Sequence, residues 1–172
     1  RCAACIAEYP GLISGVKVRM GSDTIRHEGL EPLRLASLAA RKANVPMMVH
    51  VGGNPPYLKD MEPYFEKGDI LTHVFNGRGG DVWNPDGTPS DALQKLIDRG
   101  VWLDVGHGSS SFDFNVFERA IRHPLPRVLM GTDLHQSSVR KLVRSMPVLL
   151  SKLYGCGVSL EDILYGVTAG PA

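Results

Sequence analysis

The stretch that decides the fold is GDILTHVFNG, which spans residues 68–77. A short apolar run leads to His73, and the chain then enters a glycine-rich loop. Apolar runs of this length bounded by turn residues are typical of buried strands. A lone histidine at such a position is more often a hydrogen-bonded structural residue than a ligand. Its meaning therefore depends on whether the pattern recurs.

The pattern recurs, because apolar strands alternate with helical segments along the chain. The predicted strands span 11–20, 46–53, 69–77, 101–108 and 127–135. The predicted helices span 28–45, 55–68, 90–100, 111–123, 139–157 and 159–167, and a polar loop covers 78–90. Ser90 is a suitable N-cap and Gly100 a suitable residue just after a helix end. Apolar strands separated by helices indicate parallel βαβ units.

Two architectures satisfy this order of elements. One is a doubly wound open sheet, and the other is a (β/α)8 barrel. A full barrel needs about 250 residues. The chain has 172, so a barrel interpretation predicts that only part of the barrel is present.

Composition excludes several classes of function. The apolar fraction is 43% and the formal net charge is +1, without a long block of one sign. This balance argues against a nucleic-acid-binding surface or a basic membrane face. No apolar run approaches the roughly 18 residues that span a bilayer. Cys2 and Cys5 form a C-x-x-C pair that we interpret as two small helix residues, and three cysteines fit a reducing cytoplasm.

An ionisable residue stands at the end of each predicted strand. Four of the five apolar runs end on Lys17, His50, His73 and His107, and the fifth ends on Asp133. Parallel strands bring their carboxyl ends to one face, which carries the active site in (β/α)8 enzymes. We therefore expect these side chains to converge.

The residue types indicate a metal site. Imidazole nitrogens suit zinc, and a carboxylate can bind metal or accept a proton. A lysine beside a cation is reasonable if it is deprotonated, or if carbon dioxide converts it into a carbamate. Such a carbamate is anionic, and its two oxygens could bridge two metal ions.

The ordered set Lys17, His50, His73 and Asp133 resembles the amidohydrolase superfamily of binuclear metal hydrolases. The segments GVKVRM, EPLRLA, MMVHVGGNPP, GDILTHVFNG, GVWLDVGHGSSSF, GTDLH and VTAGPA are similar to its dihydroorotase-like amidohydrolase/deacetylase branch. The resemblance covers nearly the whole chain. It implies a TIM-barrel (β/α)8 fold in which residues 1–172 form one partial domain holding about strands four to eight. The N-terminal strands and a C-terminal β-rich domain are expected to be absent.

The resemblance also implies a mechanism. Lys17 as a carbamate would bridge two divalent metal ions, with zinc expected, and His50 and His73 would bind one of them. The metals would lower the pKa of a bridging water to give hydroxide near neutral pH. Asp133 would also contact the metal centre, take the proton from that water and return it to the leaving group.

Three functions follow from these residues. The first is a metal-dependent hydrolase that cleaves an amide or ester bond of a small molecule, expected to be a deacetylase. The second is a dihydroorotase-type cyclic amidohydrolase. The third is a non-catalytic fragment or binding module, because the family's His-x-His pair is missing and no two histidines here are separated by one residue. Assembly into a homo-oligomer is left open.

Residues beside the strand ends are candidates for substrate contact. His107 could approach the substrate or bond to backbone in its loop. Asn76 and Arg78 could orient a carbonyl or carboxylate, although Asn76 equally suits a turn. Arg19 shares the strand face of Lys17. His135, just past Asp133, is expected to support the metal site without binding the metal, whereas Asp133 could instead cap a following helix.

Overall fold

A computed structural model describes residues 1–79 and 81–172 of the chain. Its centre is one parallel sheet of five strands in the spatial order β1-β2-β3-β4-β5. The strands are β1 (Val16–Arg19), β2 (Met47–His50), β3 (Ile70–Thr72), β4 (Trp102–Asp104) and β5 (Val128–Leu129).

Helices connect the strands. They are α1 (Cys2–Glu8), α2 (Ser22–Ile25), α3 (Glu31–Ala43), α4 (Leu58–Met61), α5 (Asp91–Arg99), α6 (Phe114–Ala120), α7 (Met146–Gly155) and α8 (Leu160–Val167), with a 3₁₀ turn at Glu62–Tyr64. The described helices are all too short or too polar to cross a membrane. The predicted loop 78–90 is present, apart from Gly80, which lies outside the described residues.

The strand order decides between the two architectures that the sequence left open. Every neighbouring pair of strands is parallel and consecutive in the chain. A doubly wound sheet reverses its strand order at a switch point, whereas a (β/α) barrel adds each strand to the same side. The sheet is therefore an arc of a barrel.

The two faces of the sheet differ in burial. Met47, Val49, Leu71 and Leu103 are fully buried, and they belong to the hydrophobic core that also includes residues of the helices. The alternate residues of each strand face the other side, because successive side chains in a strand point in opposite directions. We call that other side the inner face. The strand register places one residue of each of four strands at the same level of it: Arg19, His50, Thr72 and Asp104.

Most predicted helices form, with shorter bounds. Ser90 accepts a hydrogen bond from the Leu93 amide, and Gly100 adopts a left-handed conformation with φ +84°, as predicted. The predicted helix 139–157 begins only at Met146, where Pro147 occupies the first turn. The predicted helix 55–68 is reduced to α4 and the 3₁₀ turn, because Pro63 lacks the amide hydrogen that a continuing helix needs.

Asp69 connects three elements at the amino-terminal end of the sheet. Its side chain is fully buried and bonds to the Arg41 guanidinium of α3. It also accepts hydrogen bonds from the Met47 amide of β2 at 2.8 Å and the Glu66 amide at 2.8 Å. A buried carboxylate with this many donors fixes the positions of α3 and β2 relative to β3.

Replacement of Asp69 should therefore destabilise the fold. Asp69→Ala leaves the Met47 amide and part of the Arg41 charge without an acceptor, so the free energy of unfolding should fall by roughly 3 kcal/mol. Urea denaturation of the complete protein measures this loss. Asp60→Ala, on the exposed side of α4, is the control and should leave the midpoint unchanged. An equal midpoint for both variants would contradict the assigned role.

Candidate metal centre

Two imidazole rings meet at the carboxyl end of the sheet. His50 is the last residue of β2, and His73 follows the last residue of β3. Their ring centroids lie 4.1 Å apart with an interplanar angle of 69°. Two neighbouring strand ends therefore supply a pair of adjacent nitrogen donors.

The hydrogen bonding of His73 leaves one nitrogen free for a ligand. Nδ1 lies 2.5 Å from the Gly106 carbonyl oxygen and must donate to it, since a carbonyl only accepts. The neutral ring then carries a lone pair on Nε2, which is buried and without a hydrogen-bond partner among the described residues. A backbone carbonyl that fixes one nitrogen while the other faces the ion is the usual arrangement of a metal-binding histidine.

The backbone of this site adopts an uncommon conformation at two points. His73 has φ +65° and Asp133 has φ +45°. Both values lie in the left-handed region, where histidine, asparagine and aspartate occur more often than other side chains except glycine. Asn76 stabilises the turn after His73, because its side-chain amide donates to the His73 carbonyl at 2.8 Å. The predicted turn role of Asn76 is thus present in the structure.

Burial keeps the histidine pair neutral. Desolvation, followed by the neighbouring His73, Arg19 and Lys17, lowers the pKa of His50 to about 3. Desolvation also lowers the pKa of His73, against the Gly106 carbonyl and Asp133, which raise it. Neutral imidazoles are the form that binds metal ions.

The low pKa of His50 predicts a pH dependence of stability for the metal-free protein. Its folded pKa of about 3 lies below that of an unfolded histidine, so the unfolded state binds more protons between these values. The contribution of neutral His50 to the free energy of unfolding is complete above a pH of about 6.5, and it is lost as the pH falls toward the folded pKa. The urea concentration at the unfolding midpoint of protein stripped of metal by a chelator should therefore decrease from pH 7 to pH 5. His50→Gln should reduce this slope, and an unchanged slope would contradict the assignment.

Lys17 lies within its strand and does not end it. β1 continues to Arg19, and the register pairs Lys17 with Met48, one level below His50. Its side chain is exposed on the inner face, and its charge contributes to the lowered pKa values of both histidines. Its predicted role as a bridging carbamate remains a prediction.

Asp133 lies on the loop after β5, opposite the loop after β4. Backbone hydrogen bonds join the two loops, from His107 to Gly131 and from Gly108 to Thr132, each at 3.0 Å. A side chain at Gly108 would approach the Asp133 Oδ2 atom to 2.7 Å, so glycine leaves space for the carboxylate. Turns, not a helix, follow Asp133, which argues against its helix-capping alternative.

These side chains do not form a complete metal site by themselves. Within residues 1–79 and 81–172, no three histidine, cysteine, aspartate or glutamate side chains lie close enough together to hold an ion. The neutral His50–His73 pair nevertheless suits a divalent metal, because the Nε2 atom of His73 has no hydrogen-bond partner among the described residues. Lys17 and Asp133, whose charges act on both histidines, are the further candidate donors.

The two candidate arginines share one carboxylate. Asp23, in α2, lies 4.0 Å from Arg19 and 3.9 Å from Arg78. Arg78 also donates to the Ser110 hydroxyl at 2.6 Å. The Arg19 charge contributes to the lowered pKa of His50, and contact of both arginines with substrate remains a prediction.

The remaining candidates have partners in their own loops. His107 is buried, places Nδ1 2.9 Å from the Gly108 carbonyl and stacks on Phe112 with centroids 4.7 Å apart. Its Nε2 atom is buried without a partner in the described part of the chain. His135 is exposed and pairs with the Ser137 hydroxyl at 2.9 Å. The substrate role of His107 and the supporting role of His135 remain predictions.

One buried carboxylate near the site was missed by sequence reasoning. Asp104, the last residue of β4, is 6% exposed and accepts hydrogen bonds from the Thr72 hydroxyl at 2.6 Å and the Gly131 amide at 2.8 Å. The available signal was an acidic residue inside the apolar run VWLDV. The same run ends on a second ionisable residue, His107, which the strand-end pattern selects in its place.

The sequence is similar to those of known deacetylases. No protein-family model matches the chain. A deacetylase of Enterococcus faecalis is 34% identical over 97% of this chain and 46% of its own length. A deacetylase of Agrobacterium fabrum is 34% identical over 100% of this chain and 42% of its own length. The chain therefore spans less than half of the curated relatives it matches.

Two solved structures superpose on nearly the whole chain. A dihydroorotase crystal structure superposes with a TM-score of 0.83 at 35% identity, over 98% of this chain and 44% of the other. An adenine deaminase structure superposes with a TM-score of 0.90 at 32% identity, over 99% and 47%. The five-stranded arc thus corresponds to part of a larger barrel, as predicted.

Proposed function

We propose that this chain, which matches a segment of amidohydrolase-superfamily proteins in sequence and fold, contributes the metal-binding end of a hydrolase that cleaves an amide or ester bond. The observation that carries the proposal is the His50–His73 pair, 4.1 Å apart, with the His73 Nε2 atom buried and unpartnered in the described residues. The relatives named deacetylase favour an acetylated small-molecule substrate.

The site residues would divide the work as follows. His50 and His73 would hold a divalent ion through their neutral nitrogens, with zinc favoured by the nitrogen donors. Bound divalent ions would generate a nucleophile from water at neutral pH and polarise the scissile carbonyl. Lys17, exposed on the inner face, would enter the site as a carbamate formed with carbon dioxide.

Proton transfer would fall to Asp133. Its carboxylate would accept a proton as the water oxygen bonds to the acyl carbon. It would return that proton to the amine or alcohol as the acyl bond breaks. The position of Asp133 on a loop hydrogen-bonded to the loop after β4 supports this role, because that loop also contains Gly106, the partner of His73.

A dihydroorotase-type cyclic amidohydrolase is the second candidate. The structural match to a dihydroorotase at 35% identity favours it. Both reactions use the same attack on an amide carbonyl and differ in whether the bond lies within a ring. In that case Arg19 and Arg78, which lie beside Asp23, would contact a part of the substrate away from the bond that is cleaved.

Metal content and substrate tests on the complete protein separate the alternatives. Protein stripped by a chelator and then reloaded with zinc, manganese or cobalt should release acetate from N-acetyl amino acids or O-acetyl hydroxy acids. Turnover of dihydroorotate without acetate release would favour the cyclic reaction. Complete protein that binds none of these metals by elemental analysis would contradict the proposal and favour a non-catalytic binding module.

The cysteines support a reducing location. Cys2, Cys5 and Cys156 are all free thiols, and Cys2 and Cys5 lie on the exposed surface of α1. Persistent free thiols are characteristic of the cytoplasm, where reductants oppose disulfide formation. We include a cytoplasmic location in the proposal on this ground.

A further inference from the structure

We propose that Asp104 is a positioning residue that holds His73 and the Asp133 loop in their working arrangement. This inference rests on the proposed hydrolase function of the site. Among the described residues, Asp104 makes no hydrogen bond to the ring of His50 or His73. It would act on the site through its own hydrogen-bond partners, Thr72 and Gly131.

The first link runs from Asp104 to His73. The Asp104 Oδ2 atom accepts from the Thr72 hydroxyl at 2.6 Å, and Thr72 directly precedes His73. A Cβ atom on Gly106 would lie 2.4 Å from the Thr72 hydroxyl oxygen and 2.6 Å from the His73 Nδ1 atom. The Thr72 hydroxyl, the His73 ring and Gly106 are therefore packed into one small space. A shift of Thr72 would displace the ring from the Gly106 carbonyl.

The second link runs from Asp104 to the loop that carries Asp133. The Asp104 Oδ1 atom accepts from the Gly131 amide at 2.8 Å. A Cβ atom on Gly131 would lie 2.9 Å from that oxygen, so the backbone approaches the carboxylate as closely as only glycine permits. Gly131 stands two residues before Asp133 and bonds through its carbonyl to the His107 amide at 3.0 Å.

The two oxygens of one carboxylate therefore connect two loops with different proposed roles. One loop holds the proposed metal ligand, and the other holds the proposed proton acceptor. Burial raises the pKa of Asp104, whereas the hydrogen bonds from Thr72 and Gly131 lower it. Each of these donors requires an acceptor, which an amide side chain at position 104 cannot fully supply.

The test is a double-mutant cycle in the complete protein. Asp104→Asn keeps the size of the side chain but replaces one acceptor oxygen with a donor, and Thr72→Val removes the hydroxyl that it faces. Each change should lower kcat by about 10- to 100-fold with a small change in KM, as for other groups that orient metal ligands. The double variant should lose much less than the product of the two losses, because both remove the same hydrogen bond. Asp98→Asn, on the exposed side of α5, is the matched control and should retain the wild-type rate.

A second readout does not depend on activity. Nitrogen-15 spectra of metal-free protein should show His73 as a single tautomer protonated at Nδ1. Asp104→Asn and Thr72→Val should each give a mixture of tautomers, whereas Thr72→Ser, which keeps the hydroxyl that Asp104 accepts from, should retain the single form seen in wild type. Thermal unfolding of each variant identifies losses that follow from unfolding alone.

The outcomes are distinct. A folded Asp104→Asn variant with wild-type kcat and an unchanged His73 tautomer would overturn the inference. So would losses that multiply in the double variant. If the wild-type protein hydrolyses nothing, the proposed function fails, whereas the tautomer measurement still decides whether Asp104 positions His73.

Discussion

His73→Asn in the complete protein is expected to lower kcat/KM for hydrolysis by about a thousandfold, because metal-ion stabilisation of the reaction is worth several kcal/mol. Asparagine tolerates the left-handed backbone at this position, so the fold should persist. It offers no imidazole nitrogen in place of the buried Nε2 atom. Elemental analysis should show less bound metal in the variant than in wild type.

The control for this substitution is His27→Asn. His27 is exposed just after α2 and has no assigned role. It should retain wild-type activity and metal content. If His73→Asn keeps both its metal and its rate, the histidine pair does not form the metal centre.

Asp133→Asn is the second substitution with a large expected effect. The amide has the shape of the carboxylate and tolerates φ +45°, but it cannot accept a proton near neutral pH. Loss of a general base or acid typically lowers kcat by about 10²- to 10⁴-fold. Steady-state kinetics with saturating substrate measure this loss, and circular dichroism checks the fold.

The metal content separates two roles of Asp133. A slow variant with wild-type metal content indicates proton transfer. A slow variant that has also lost metal indicates that the carboxylate is mainly a ligand. Asp60→Asn, on the exposed side of α4, is the control. A rate equal to that of wild type would remove Asp133 from the chemistry.

The sequence predicted the sheet and several helix ends for clear physical reasons. Apolar runs specify buried strands, and the N-cap of Ser90 and the left-handed Gly100 follow from local chemistry. The alternation of strands and helices did not by itself decide the order of the strands in space, because it serves both a barrel and a doubly wound sheet. The family resemblance was needed to predict the barrel.

The candidate site was less predictable than the fold. His50 and His73 were identified as neighbours because adjacent parallel strands align their ends. Lys17 was assigned to a strand end, but apolar patterning does not fix where pairing stops, and β1 continues to Arg19. Asp104 was missed because its partners, Thr72 and Gly131, are distant in sequence. Short-range patterns do not contain such long-range hydrogen bonds.

The left-handed backbone at His73 and Asp133 restricts how this site could be redesigned or could diverge. At a regular strand position, cysteine, glutamate or histidine can be exchanged with little backbone cost. At φ +65° and +45°, histidine, asparagine and aspartate are favoured over those longer or sulfur-bearing side chains. The main chain thus selects nitrogen and oxygen donors before any ion is present. Conversion to a thiolate site for softer metals would therefore cost backbone free energy at both positions, in addition to the exchange of two side chains.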